Sequence, residues 1–521
     1  MASSSSDRNL YIAALISCFS SGLLGYSMGF IGGEIVLPSF LASFHLEHLS
    51  AKDLALARSV SVTAWIVGAL VGVPAAMPVC SKFGRRLCLQ FSAVLYVIGA
   101  VLQLFSKNEL KLFEVGRLVN GMGSGAATLA LPLYLSEIAR ASERGFLMGV
   151  YQIFIQLGAL LGFWIAFLCQ STLPDDSMVQ WQVPVALQFA GGVVLLLGCA
   201  AIPESPLFLA SQSNYPAMEK SLAWLRRRPV GDPSLLAERL EMEAATELGE
   251  KLKGTSFLSE LKKADVRRRL HVGVGLMVLQ TSIGINSLNY YSPIIFMSAG
   301  FTSVRASLFL AGTFGLIKLV ASLAFTFKCV RYRGNRFWLI LGSAACCITM
   351  LILSYCVRRS AIPDPDDNPN EVTPVKFVGV VSVLMVYVFT FAYGVSWGPI
   401  SWNVCAEIFP LHINSTCCAI TTCVQWASVI LTAAATPPLL AILGWALYAI
   451  LGGLCFVSLI WVALVVPETR GVGVGQEMDE VFGGETAGEE EEVLIDVAET
   501  TALLEQHRRR RSSLATYPPP L

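Results

Sequence analysis

Charge is what this sequence has least of. Only 14% of its 521 residues are charged, against roughly 25% in soluble domains, while 54% are hydrophobic. This excludes a soluble globular chain; a net charge of zero says nothing about partners by itself, and no nucleic-acid partner is expected. Histidine is scarce: His45, His48, His271, His412 and His507 fall in loops or at the ends of apolar runs, and no metal site is expected. The 14 cysteines are scattered, without metal-ligand spacing or an extracellular framework, and read as small buried apolar residues. A phosphate-cradling "GxxxxGK" loop is absent, so ATP-driven pumping is not indicated. With no catalytic constellation either, the chain is not expected to be an enzyme or to need a cofactor.

What remains is apolar sequence in long runs. A helix needs about 20 residues to cross a bilayer. Runs of that order can be drawn at 10–33, 60–80, 87–105, 113–135, 146–169, 184–202, 271–297, 304–328, 336–357, 376–403, 415–438 and 441–466, twelve in all. The first is longer than a signal core, lacks a small-residue cleavage site and leads straight into further spans, so it reads as retained. Lys82, Arg85, Arg86, Arg140, Arg144, Arg331, Arg333 and Arg336 lie in connections of one parity, as does the base-rich segment 204–270. Connections of the other parity are poorer in bases, so both termini are expected in the cytoplasm.

Repeats organise these spans. "SKFGRR" after the second run is echoed by "RYRGNR" after the eighth, "SEIAR" at 136 by "AEIFP" at 406, and "PESP" at 203 by "PETR" at 467. The same order of echoes implies one six-span unit used twice. The expected fold is an all-α membrane protein, twelve transmembrane helices in two pseudo-symmetric six-helix bundles, with the substrate site near the midplane between them. The bundles are expected at 1–203 and 271–466, joined by a linker at 204–270 with short amphipathic helices and followed by a disordered tail at 467–521.

Taken together, "GYSMGFIGG" at 25, "GRLVNGMGSG" at 116, "PLYLSEIARASERG" at 132, "YQIFIQLG" at 151, "QTSIGIN" at 280, "WGPISWNVCAEIFP" at 397 and "PETRGVGVGQEMDEVFG" at 467 resemble the sugar porter family of the major facilitator superfamily. The resemblance runs to about residue 483, and "GLIK" at 315 looks most like the fungal members.

One apolar run is conspicuously polar. The stretch "VLQTSIGINSLNYY" at 278–291 carries amides and hydroxyls that would cost roughly 2–7 kcal/mol each if buried unpaired. Such a face must look onto protein or a water-filled path, and Gly284 lets the helix bend or break there. Amides both donate and accept, which suits a ring of hydroxyls. The resemblance implies that Gln152, Gln280 and Asn286 bind sugar hydroxyls, that Trp402 stacks on the ring, and that Tyr290 and Tyr291 close an outer gate. Thr281 stands where the family usually has a second glutamine, and Gln425 where hexose carriers have an asparagine, so both belong to the candidate site of a pocket that is not a standard glucose site. Asn289 reads as a helix–helix contact.

Proton-coupled members carry an aspartate where this chain has Ser27, a hydroxyl that cannot titrate near neutrality, so facilitated diffusion is expected. Glu34 on the same span is a candidate substitute carboxylate, with the outer membrane surface as its simpler home. Lys318 lies within a span, where a cation costs a few kcal/mol unless paired or hydrated, and marks a candidate anion site. The resemblance implies a cytoplasmic gate network from Arg85, Arg86, Arg117, Glu137 and Arg144 in the first half, with Arg336 and Glu407 in the second. There Asn335 and Asn414 replace usual arginines, which is expected to tilt the balance toward inward-open.

The function implied is transport of a monosaccharide, hexose or pentose, by alternating access. A proton-coupled carrier of sugars or of sugar acids such as quinate stays open, as does a non-transporting sugar sensor. The expected partners are the sugar and the lipid bilayer, with the plasma membrane as location and an endosomal or vacuolar membrane as the alternative. In the tail, "ETTALL" at 499 fits an acidic dileucine sorting signal, and Ser512 and Ser513 follow four arginines as a basophilic kinase site would. Both patterns are short and arise often by chance, so a solvated tail is the favoured reading.

Overall fold

The computed structural model describes residues 8–236, 238–240, 242–243, 260–298, 301, 303–329, 332–360, 377–409, 413–469 and 481–482. The acidic 361–371 stretch, the "ETTALL" signal, Ser512 and Ser513 lie outside these residues, as do the side chains of Arg144, Glu407 and Asn414.

In lipid a backbone must satisfy its own hydrogen bonds, so every apolar run becomes helix. The first half comprises α1 (Arg8–Glu34), the short α2 (Pro38–Ser43), α3 (Ala51–Phe83), α4 (Arg85–Leu104), α5 (Leu110–Ile138), α6 (Ala141–Thr172) and α7 (Val179–Ala201). The linker contributes α8 (Pro206–Ser211) and α9 (Tyr215–Arg226), capped by Ser205 and Asn214. The second half follows as α10 (Ala264–Ser282), α11 (Ile285–Ser298), α12 (Val304–Ala324), α13 (Asn335–Ser360), α14 (Phe377–Gly394), α15 (Trp397–Glu407), α16 (Asn414–Leu443) and α17 (Trp445–Val465). Among the described residues, ten stretches are long and apolar enough to cross a membrane alone, with α14 and α15 counted as one. The polar α5 and the broken pair α10–α11 complete twelve crossings.

The turns at 83–85, 138–141 and 201–206 lie at one end of the bundle, called here the basic end. At the opposite, far end, Phe40 and Phe44 of α2 pack on Phe113 and Trp181 with ring centroids 4.8–6.3 Å apart. Each such pair contributes about 0.5–1.5 kcal/mol beyond area burial, so α2 plugs the first half.

Close packing in the first half rests on small residues spaced four apart. A Cβ on Gly25 or Gly29 of α1 would lie 1.9 or 2.3 Å from a carbonyl oxygen of α6, and Gly158 of α6 meets Gly22 at 1.9 Å in return. Gly68 and Gly72 of α3 meet α5 in the same way, at 2.0 and 2.2 Å. Small-xxx-small pairs let backbones touch where no hydrophobic force drives helices together.

The second half is interrupted instead. At Gly284, φ is 110°, a region that only glycine enters freely, so one apolar run becomes α10 and α11. A second break at Val395–Ser396, in "YGVSWGP", separates α14 from α15 within what reads as one span at 376–403. A π-turn at Phe325–Cys329 ends α12.

The halves meet along α1 with α11 and α12, α3 with α16, and α6 with α12. At the far end this contact is tight: a Cβ on Gly32 would lie 2.7 Å from the Tyr290 carbonyl oxygen, and the Ser59 hydroxyl donates to Ala434 O across the halves at 3.2 Å. The far end is therefore closed.

Candidate functional site

Between the halves lies a cavity lined by side chains of both. Gln152 and Gln156 of α6 line it from the first half, and Gln280, Thr281 and Asn286 from the broken helix pair. Trp402 of α15 and Gln425 and Trp426 of α16 complete the ring. The polar run thus faces a path, and the six residues expected to bind substrate are brought together.

The two breaks cooperate. Gln280 Nε2 donates to the carbonyls of Trp397 and Gly398, at 3.0 and 3.1 Å, in the first turn of α15 just past the second break. Its Oε1 is left without a partner among the described residues, as are Oε1 of Gln156 and of Gln425, the indole N–H of Trp426 and the hydroxyl of Ser322. A cavity wall with three free acceptors and two free donors suits a solute that carries hydroxyls around a ring. Thr281 spends its hydroxyl on its own helix, bonding Val278 O at 2.8 Å, and offers the cavity a methyl group.

Lys318 of α12 also lines the cavity. Its Nζ donates to Asn289 Oδ1 at 2.8 Å and lies 5.6 Å from the Phe314 ring centroid. Asn289 thus joins two helices, and in doing so holds a cation whose described partners are neutral. The described residues lining the cavity include no carboxylate.

Tyr290 and Tyr291 stand outside the cavity, 0% and 1% exposed, in the far-end wall. Tyr291 donates to Ala433 O at 3.0 Å, Tyr290 packs against Gly32, and the rings of Trp65 and Trp426 meet edge-on across the halves at 5.7 Å.

At the basic end Arg85 pairs with Glu137 at 2.8 Å, and Ser205 donates to the other carboxylate oxygen at 2.5 Å. Glu204 accepts from the backbone N–H groups of Arg85 and Arg86 at 2.9 and 3.1 Å, capping α4. Arg86 donates to Cys199 O and Ala200 O. The second half repeats this plan: Glu468 accepts from the N–H groups of Asn335 and Arg336 at 2.8 and 3.2 Å, and Arg336 donates to Ala463 O at 2.5 Å. Gly84 and Gly334 leave room for these carboxylates, since a Cβ there would lie 2.4 and 2.0 Å from a carboxylate oxygen. Where Arg85 makes an ion pair, Asn335 makes a neutral bond to Thr469 at 3.0 Å.

Two expectations need correction. Arg117 is not at the basic end: it sits on α5 twenty residues before Glu137, about 30 Å along the helix axis, buried at the far end over the rings of Phe30 and Trp65. Runs of bases mark the basic end, but a lone arginine inside an apolar run carries no such sign. Glu34, the last residue of α1 at the far end, faces neither water nor lipid, being 0% exposed. Ser27, two helical turns before it, bonds Tyr96 at 2.8 Å and is fully buried. Sequence reasoning missed Asn120, which accepts from Trp65 Nε1 at 3.1 Å and donates to Tyr96 O at 3.0 Å. Its place one turn after Arg117 was the only hint.

The sequence profile described as "Sugar (and other) transporter" matches residues 13–482. The chain belongs to that family. It is a multi-pass membrane transporter and not an enzyme. Among curated relatives, the quinate permease of Emericella nidulans is 31% identical over 479 residues, covering 91% of this chain and 88% of that one. A probable quinate permease of Aspergillus fumigatus (strain CBS 144.89) is 30% identical, covering 91% and 87%. Among solved structures, the proton:xylose symporter XylE bound to 6-bromo-6-deoxy-D-glucose aligns with TM-score 0.76 at 23% identity, over 92% of this chain and 100% of that one. A partially occluded inward open form of XylE from E. coli aligns with TM-score 0.72 at 22% identity, over 88% and 98%. These structures establish the shared fold.

Proposed function

We propose that this transporter carries a monosaccharide-sized, polyhydroxylated solute by alternating access between its two halves. The observation that carries the reading is the interfacial cavity, where free amide oxygens from both halves converge beside Trp402 and Trp426. The basic end is assigned to the cytoplasm and the far end to the outside, on the distribution of Lys and Arg. The sealed far end then corresponds to an inward-facing carrier, in keeping with Asn335 standing in the second half where the first has Arg85. Position 27 offers no titratable group, which supports facilitated diffusion over coupling through that position. Location in the plasma membrane is part of the same reading, and "ETTALL" and Ser512–Ser513 are the places where sorting adaptors or kinases would act.

A second reading concerns the solute. Lys318 is a cavity cation with neutral partners, and the quinate permease relatives point the same way, toward a polyol carboxylate whose acid group rests at Lys318 and whose hydroxyls meet Gln156, Gln280 and Gln425.

The test is uptake of a labelled panel of hexoses, pentoses, polyols, galacturonate and quinate by cells without their own carriers, with and without a protonophore. Saturable uptake lost in Gln280→Ala supports the carrier. Uptake of acids alone favours the second reading. No uptake by protein confirmed at the surface overturns transport and leaves a sugar sensor.

A further inference from the structure

Beyond the cavity, the far-end gate encloses a set of charges that substrate does not reach. Glu34, Arg117 and Tyr290 are each 0% exposed. Neither oxygen of Glu34, neither terminal nitrogen of Arg117 and not the Tyr290 hydroxyl has a hydrogen-bond partner among the described residues. Glu34 and Arg117 belong to the first half, whereas Tyr290 closes over them from the second.

Three features bear on the state of the carboxyl. No donor reaches it, and an ionised carboxylate buried unbonded is costly. It is the last residue of α1, where helix carbonyls point outward with partial negative charge. Arg117, although within electrostatic reach, turns its guanidinium to the faces of Phe30 and Trp65, 5.5 and 5.7 Å from the centroids, and its Nε to Ser61 O at 3.3 Å. The other titratable groups nearby are Tyr26, Tyr96 and Cys169, which bring no positive charge, and Arg58, whose Nε donates to Ile35 O at 3.1 Å.

We propose that Glu34 is a proton-binding site tied to the gate: its carboxyl takes up a proton as α11 closes over it and gives the proton back to the outer water when the gate opens. Closure is then linked to proton uptake, so acid favours the sealed far end and alkali the open one. The seven-residue step from Ser27 keeps Glu34 on the same face of α1 but places the carboxyl two turns nearer the far end. The proton returns to the side it came from, so the site regulates the gate without driving uptake.

The test uses the full chain in lipid nanodiscs, with spin labels on non-natural residues at Leu49 and Ile442, which are exposed at the far end of the two halves. Electron-resonance distances are recorded from alkaline to acid pH without substrate. The expected result is a shift from longer to shorter distances on acidification, and a short, pH-independent distance in Glu34→Gln. Glu34→Asp, which keeps the carboxyl, is expected to retain the shift and serves if the amide variant does not fold. An unchanged wild-type distance, or an undiminished shift in Glu34→Gln, overturns the proposal. Because no substrate is present, either result leaves the transport reading standing.

Discussion

The two halves follow one plan and are held together differently. In the first, glycines four apart bring α1 onto α6 and α3 onto α5 at backbone contact, its crossings are unbroken, and the basic end is locked by the Arg85–Glu137–Ser205 cluster. In the second, two crossings are broken, at Gly284 and at Val395–Ser396, and Asn335, the counterpart of Arg85, makes an amide–hydroxyl bond to Thr469. Most polar residues of the cavity come from this interrupted half. One bundle behaves as a rigid wall, and the other bends its backbone to meet the solute.

This contrast is strongest at single glycines. Gly29→Leu forces a side chain into the α6 backbone and is expected to abolish folded protein, whereas Gly453→Leu, where a Cβ meets nothing within 4 Å, is expected to leave melting in detergent unchanged. Equal tolerance at both sites would break the comparison. Next in size, Glu137→Gln leaves Arg85 without its anion and is expected to cost about 1.5–3 kcal/mol, seen as a lower melting temperature. Asn335→Ala, which loses only a neutral bond, is expected to cost about 1 kcal/mol. If the second reading of the solute holds, Lys318→Met lowers quinate uptake about tenfold or more, some 1.4 kcal/mol, and spares neutral sugars. Smallest is Asn335→Arg, which restores a cation at the basic end of the second half. It is expected to shift the far-end distance toward open by no more than about 1 kcal/mol.

The architecture was legible because lipid leaves the chain few choices: apolar length gives crossings, and the echo of "SKFGRR" in "RYRGNR" gives the repeat. The break at Gly284 was also readable, since amides in an apolar run demand a cavity and the glycine supplies the bend. The break at 395–396 was not, because Tyr393 to Trp397 is apolar enough to pass for continuous helix. Arg117 and Glu34 were misplaced for a shared reason. Hydropathy reports depth in the membrane but not which neighbours a side chain finds there, and both charges lie in protein.

The carboxylates that cap α4 and α13 come from residues beyond the last crossing of each half, Glu204 and Glu468. Each bundle is therefore fastened by the final residues of its own unit. During synthesis the first half has its clasp in hand while the second is still being made, so it can fold as a finished template against which the looser bundle assembles.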